Sequence, residues 1–123
     1  TEISAVAESA GQLGIQTENI LDFSKAMIDL GNSTNLTSEN AASQLAKFAN
    51  IMQMSQKDFD RLGSSIVDLG NNFATTEADI VNMAMRLAGA GKQVGLSEGE
   101  VLGLATALSS VGIEAEMRWF SNF

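Results

Sequence analysis

The chain has 123 residues, enough for one domain that buries somewhat under about 70% of its unfolded surface. Fifteen acids against seven bases leave a net charge of −8, spread thinly, so the Lys/Arg footprint needed for nucleic-acid or anionic-membrane binding is missing. Cys and His are absent, which removes the disulfide framework, the thiol nucleophile and the usual transition-metal ligands; Pro is absent too, leaving Gly as the only strong helix punctuation.

Six helical segments are expected in chain order. The first runs from about Glu2 to Ala10 and stops at Gly11 and Gly14. The second runs from a Thr17 cap to Leu30, with Gly31 placed for a left-handed C′ position. The third follows Leu36-Thr37 and continues toward Met52. The fourth begins at Ser55, where Ser55 and Asp58 have capping-box spacing and Met54 and Phe59 flank them as a hydrophobic staple. The fifth starts at Thr76, with Asp79 three residues on, and fades near Gly89-Ala90-Gly91. The sixth starts at Ser97, with Glu100 as box partner and Leu96/Val101 as staple, and ends near Gly112. Strand alternation and hairpin-turn dipeptides are lacking throughout, so the fold class is all-α, an array of short antiparallel helices. The tail, Met117-Arg118-Trp119-Phe120-Ser121-Asn122-Phe123, packs three aromatics into seven residues. It reads either as a lid that docks back or as the accidental end of a truncated frame.

The segments repeat. Asp29-Leu30-Gly31-Asn32 returns 39 residues later as Asp68-Leu69-Gly70-Asn71. The same offset places Ile20, Phe23, Met27 and Leu30 on Phe59, Leu62, Ile66 and Leu69, and Thr37 on Thr76. An apolar face closed by Gly, then a Thr cap and a second apolar face, is a helix–turn–helix hairpin. The repeat spans residues 17–52 and 55–91, with a further helix at 97–112. Such units bury their faces on their neighbours, which points to scaffolding before chemistry.

Candidate chemistry is sparse. Asp58/Asp60, Glu98/Glu100 and Glu114/Glu116 are acid pairs, but residues two apart on a helix do not face each other, and Asp58 and Glu100 are accounted for as capping acids. Gly91, Gly95, Gly99 and Gly103 read as a Gly-rich turn followed by a helix, on which Gly99 and Gly103 share a face open to a close neighbour; they form no phosphate loop. Of the Met residues, Met27 and one of Met83/Met85 are expected as core filler rather than binding surface. Ser24 and Lys25 are adjacent on a helix and point apart, so they make no nucleophile–base pair. No catalytic, cofactor-binding or metal-ligating residue is assigned, and the chain is not expected to be an enzyme. The longest uncharged run, Val101 to Ile113, is too short to span a membrane. Glu2 and Glu8 sit where a signal peptide would be basic, and the opening Thr1 reads as an excerpt or processed product.

Several strings resemble the core region of phage tail tape measure proteins of the TP901 type. They are Ala7-Glu8-Ser9-Ala10-Gly11-Gln12-Leu13-Gly14-Ile15, Gly70-Asn71-Asn72-Phe73-Ala74-Thr75-Thr76-Glu77, residues 88–97, and residues 104–116. The resemblance covers nearly everything from Ser4 to Glu116 and implies a fragment, because members of that family are many hundreds of residues long. It implies a structural virion segment acting in tail assembly and tail-length determination, and ejected as DNA passes. Its implied location is the tail tube lumen, reached from the host cytoplasm. The implied partners are the tail tube protein, tail assembly chaperones and baseplate or tail-tip proteins, with self-association compatible. The sequence past Glu116 departs from the family style, which keeps open a truncated prophage remnant. A stand-alone helical-repeat binding module is the other alternative. Hairpins fold back and waste length, so this segment is expected to be a compact assembly element, with the ruler proper elsewhere.

Overall fold

A computed structural model describes the backbone of residues 2–121 and the side chains of residues 2–112. Among the described residues the chain is all-α, with six helices and no strand: α1 (Glu2–Gln12), α2 (Ile20–Ser33), α3 (Ser38–Met52), α4 (Phe59–Asn72), α5 (Glu77–Gln93) and α6 (Glu98–Ser121). Single 3-10 turns at Thr17–Asn19 and Gln56–Asp58 lead into α2 and α4, and both these turns and the helices behind them are 39 residues apart.

The helices form two layers. In one, α2 packs on α4 and α4 on α6; in the other, α1 packs on α3 and α3 on α5. Between the layers α2 lies against both α1 and α3, α4 against α5, and α5 against α6. The core runs along this seam, where Phe23, Met27, Leu45, Phe48, Phe59, Ile66 and Ile80 are all buried. Phe23 and Phe59 meet edge to face with ring centroids 4.6 Å apart, a geometry worth about 0.5–1.5 kcal/mol beyond the area it buries. Met27 and Met52 are core residues, while Met83 and Met85 are half-buried against it.

The helix ends explain why the repeat folds as it does. Helices α1, α3 and α5 close with the same Schellman pattern, in which the residue after the left-handed one donates back five residues. Ile15 N–H bonds Ala10 O at 3.0 Å, Met54 N–H bonds Ala49 O at 3.1 Å, and Leu96 N–H bonds Gly91 O at 2.9 Å. The left-handed residue is Gly14 in the first case, Gln53 in the second and Gly95 in the third. Gln53, at φ 56°, therefore carries a conformational cost that glycine would not. Thr37 and Thr76 cap α3 and α5, accepting from Asn40 N–H at 3.1 Å and Asp79 N–H at 3.2 Å.

Several expected ends are corrected. Thr17 is no cap: it lies inside the 3-10 turn, and neither Gln16 nor Asn19 bonds a following amide through its side chain. Gly31 is helical rather than left-handed, since α2 continues to Ser33. A Cβ there would stand 2.9 Å from the Ser38 amide nitrogen, so glycine serves close approach to the start of α3. Ser55 accepts from Lys57 N–H at 3.3 Å, but Asp58 does not close a box; its carboxylate turns to Arg61 at 3.2 Å. Gly99 and Gly103 are exposed with no neighbour close enough to need glycine. Helix α5 runs on to Gln93, and α6 passes Gly112 to Ser121 because a single Gly in a helix lowers its stability without ending it. The side chains of Trp119 and Phe120, and all of Phe123, lie outside the described residues, and with them the choice between a docked lid and an accidental end.

The box at the start of α6 is complete. Ser97 N–H donates to Glu100 Oε1 at 3.0 Å, and Glu100 N–H donates to Ser97 Oγ at 3.2 Å. The Ser97 amide, and after it the Ser97 hydroxyl, hold the Glu100 carboxyl below its ordinary value. A carboxyl whose folded pKa is depressed stabilises the fold above its unfolded pKa, and that contribution is lost as pH falls through the folded one. Chemical denaturation from neutral pH down through the carboxylate range should therefore show wild type losing more stability than Glu100→Gln, whose amide oxygen still accepts but does not titrate.

Candidate functional site

Polar side chains register each hairpin on the one before it. Gln56 accepts from Gln16 N–H at 2.8 Å and donates to Gly14 O at 3.2 Å, tying the two 3-10 turns together. Asn35 accepts from Ala78 N–H at 3.0 Å, so the loop of one hairpin satisfies an orphan amide in the first turn of the next hairpin's second helix. Gln44 donates to Asn82 at 3.1 Å between α3 and α5, and Thr75 and Ser109 share a 2.7 Å hydroxyl contact. These bonds act on stacking order rather than on a substrate.

Three open grooves follow the seams between helices. The first, about 350 Å³, lies between α2 and α4 and is edged by Asp29, Asp60 and Asp68. The second, about 260 Å³, lies between α4 and α6, where Arg61 reaches Asp58 at 3.2 Å and Glu98 at 3.8 Å. The third, about 330 Å³, lies between α5 and α6 and is lined by Asp79, Arg86, Leu108 and Ser109. Among the described residues, no three acids converge as a cation site would require. Ser24 is buried with its hydroxyl unpartnered and Lys25 is exposed, so the two sit on different sides of α2. Of the acid pairs, Glu98 pairs with Arg61 and Glu100 caps α6, which leaves neither aimed at a shared point. Among the described residues, Ser24 and Lys25 therefore make no nucleophile–base pair.

One surface feature escaped the reading of the sequence. Leu104, Leu108 and Val111 are exposed on α6 at helical spacing, forming an apolar stripe beside the α5/α6 groove. Their i, i+4, i+7 pattern was visible, but a third copy of the hairpin's first helix was hidden by a change of period. Ser97 lies 42 residues beyond Ser55, not 39. Among the described residues no helix is long and apolar enough to cross a membrane.

The comparisons with known proteins agree with a structural role. A family model described as phage-related minor tail protein matches residues 1–118. A "Probable tape measure protein" from Halomonas phage phiHAP-1 is 25% identical over 133 residues, covering the whole of this chain. The chain spans 15% of the length of that relative. No solved structure matches it.

Proposed function

Since this chain belongs to the phage-related minor tail protein family, we propose that it is one segment of a tape measure protein and works in tail assembly. Its place is the lumen of the tail tube, reached from the host cytoplasm, and its partners are the tube protein, the assembly chaperones and the baseplate. Its work is mechanical, by packing and stacking, and needs no catalytic group. The observation that carries this reading is the match along residues 1–118; the hairpin array and the bonds that set its stacking order are consistent with it.

Geometry bears on which task within assembly the segment performs. A straight α-helix of 39 residues is about 58 Å long at 1.5 Å per residue. A hairpin of the same length advances its array by one interhelix spacing, about 8–10 Å. A molecule that measures tail length along its own axis gains little from residues spent this way. The segment is therefore a compact assembly element, and the length-setting stretch lies in other parts of the parent protein.

Peptides of this segment should be found by mass spectrometry in purified phage particles, and their absence from particles would remove the tail reading. Deleting one 39-residue unit from the parent gene should leave the length of completed tails unchanged under the electron microscope. Tails shorter by about 58 Å, the length of those residues as a straight helix, would refute the compact-element reading and make this segment part of the ruler.

A further inference from the structure

The turns that lead into α2, α4 and α6 are successive copies of one unit. Gln16, Ser55 and Ser97 stand at equivalent positions, as do Thr17, Gln56 and Glu98, and Asn19, Asp58 and Glu100, across steps of 39 and 42 residues. The first joint, between the turns of α2 and α4, is made by amides. Gln56 Oε1 accepts from Gln16 N–H at 2.8 Å and from Asn19 Nδ2 at 3.5 Å, while Gln56 Nε2 donates to Gly14 O at 3.2 Å. Such a clamp needs an acceptor and a donor on one side chain, which an amide has.

At the second joint, between the turns of α4 and α6, carboxylates replace both amides. Glu98 stands where Gln56 does, and Asp58 where Asn19 does. An ionised carboxylate accepts but does not donate, so Glu98 offers nothing to the carbonyl of Gln53, the counterpart of Gly14, and Asp58 offers nothing to Glu98. Both turn instead to Arg61, Glu98 at 3.8 Å and Asp58 at 3.2 Å. That arginine is 70% exposed, and ion pairs in such a setting hold little. Among the described residues Ser55 N–H, the counterpart of Gln16 N–H, bonds no protein acceptor. The packing follows the chemistry. The groove of about 260 Å³ between α4 and α6 opens at this joint, edged by Asp58 and Glu98; Met54, which lines it, is half-buried where its counterpart Ile15 is buried. The Phe23/Phe59 ring pair of the first joint has Leu62 and Val101 as its counterparts. These differences are written in the residues of the two joints themselves.

We propose that the array has one locked joint and one that swings: α2 and α4 are held together at their turns, while the start of α6 moves away from α4 and widens the groove between them. Helix α6 keeps its seat on α5, where Val101 packs against Gly91, so the motion left to it is a roll about that contact. Asp58 and Glu98, two acids with one exposed arginine between them, repel each other and favour the open form. The inference rests on the repeat geometry and stands whether or not the tail reading does.

The chain has no Cys, so pairs of introduced cysteines carry spin labels at defined places. Glu18→Cys with Lys57→Cys spans the first joint, and Lys57→Cys with Gly99→Cys spans the second; the three positions are exposed and equivalent in the repeat. Pulsed electron resonance on the frozen 123-residue chain should give a narrow distance distribution across the first joint and a broad one across the second. Asp58→Asn with Glu98→Gln gives the second joint the amides of the first. Its distribution should then narrow to the width of the first, and Ser55 N–H should exchange with solvent about tenfold more slowly, as one added hydrogen bond allows. Gln56→Glu should do the reverse, broadening the first joint and releasing Gln16 N–H to exchange. Equal widths in wild type would overturn the proposal. So would a second joint that stays broad, or a Ser55 amide that stays unprotected, once both amides are in place. A first joint unmoved by Gln56→Glu would overturn it as well.

Discussion

Phe23→Ala should lower the unfolding free energy by about 3–5 kcal/mol, the range for removing a buried Phe ring from a core that relaxes only partly. Phe23 is fully buried, and its ring meets Phe59 edge to face across the α2/α4 contact. Part of the loss therefore falls on the contact that stacks one hairpin on the next. Domains of this size are stable by roughly 5–15 kcal/mol, so one substitution removes a large share of the total. The melting temperature should fall by roughly 10–20 °C. Phe23→Leu keeps most of the apolar area but forfeits the ring contact, and should cost only about 1–1.5 kcal/mol. Phe73→Ala is the control: Phe73 is exposed at the end of α4, and the change should stay within about 0.5 kcal/mol. Urea unfolding followed by circular dichroism gives all three. A Phe23→Ala loss no larger than that of Phe73→Ala would mean that the hairpins do not depend on this stacking contact.

How much of this was legible beforehand depended on whether the signal was local. Thr37, Thr76 and the Ser97/Glu100 box announced their helix starts correctly because a cap is a bond between residues two or three apart. The all-α class and the 39-residue unit followed from periodicity alone. Glycine was the weak point. Gly31 was read as a left-handed stop, yet it sits inside a helix because the Ser38 backbone passes over it. The conformational freedom of glycine and its lack of a side chain leave the same letter in the sequence, and only a distant neighbour separates them. The reverse error occurred at Gln53, a left-handed position with no glycine to mark it. Asp58 had the spacing of a box acid, but Arg61 one turn on competes for its carboxylate. The apolar stripe of α6 was missed because α5 is longer than α3, and this extension moves the third unit out of the 39-residue register.

The same ambiguity of glycine yields a prediction in which two neighbouring positions respond with opposite sign. Gly89 is exposed on α5 with nothing within 4 Å of where a Cβ would stand. Gly89→Ala should therefore stabilise, by up to about 1 kcal/mol, through helix propensity alone. Gly91, two residues on, is buried, and a Cβ there would lie 2.8 Å from Val101 Cγ2. Val101 is itself fully buried, and a β-branched side chain in a helix has essentially one χ1 rotamer, so it cannot swing aside. Overpacking of this kind costs about 1–3 kcal/mol. It also falls at the turn from α5 to α6, where Leu96 N–H bonds Gly91 O. Gly91→Ala should accordingly destabilise by about 1–2 kcal/mol after its gain in propensity. A double-mutant cycle separates steric conflict from any backbone effect. In a Val101→Ala background the clashing methyl is gone, and Gly91→Ala should become neutral or stabilising, with a coupling energy of about 1–3 kcal/mol. Equal losses from Gly91→Ala in both backgrounds would show that α5 and α6 do not meet as closely as this contact requires.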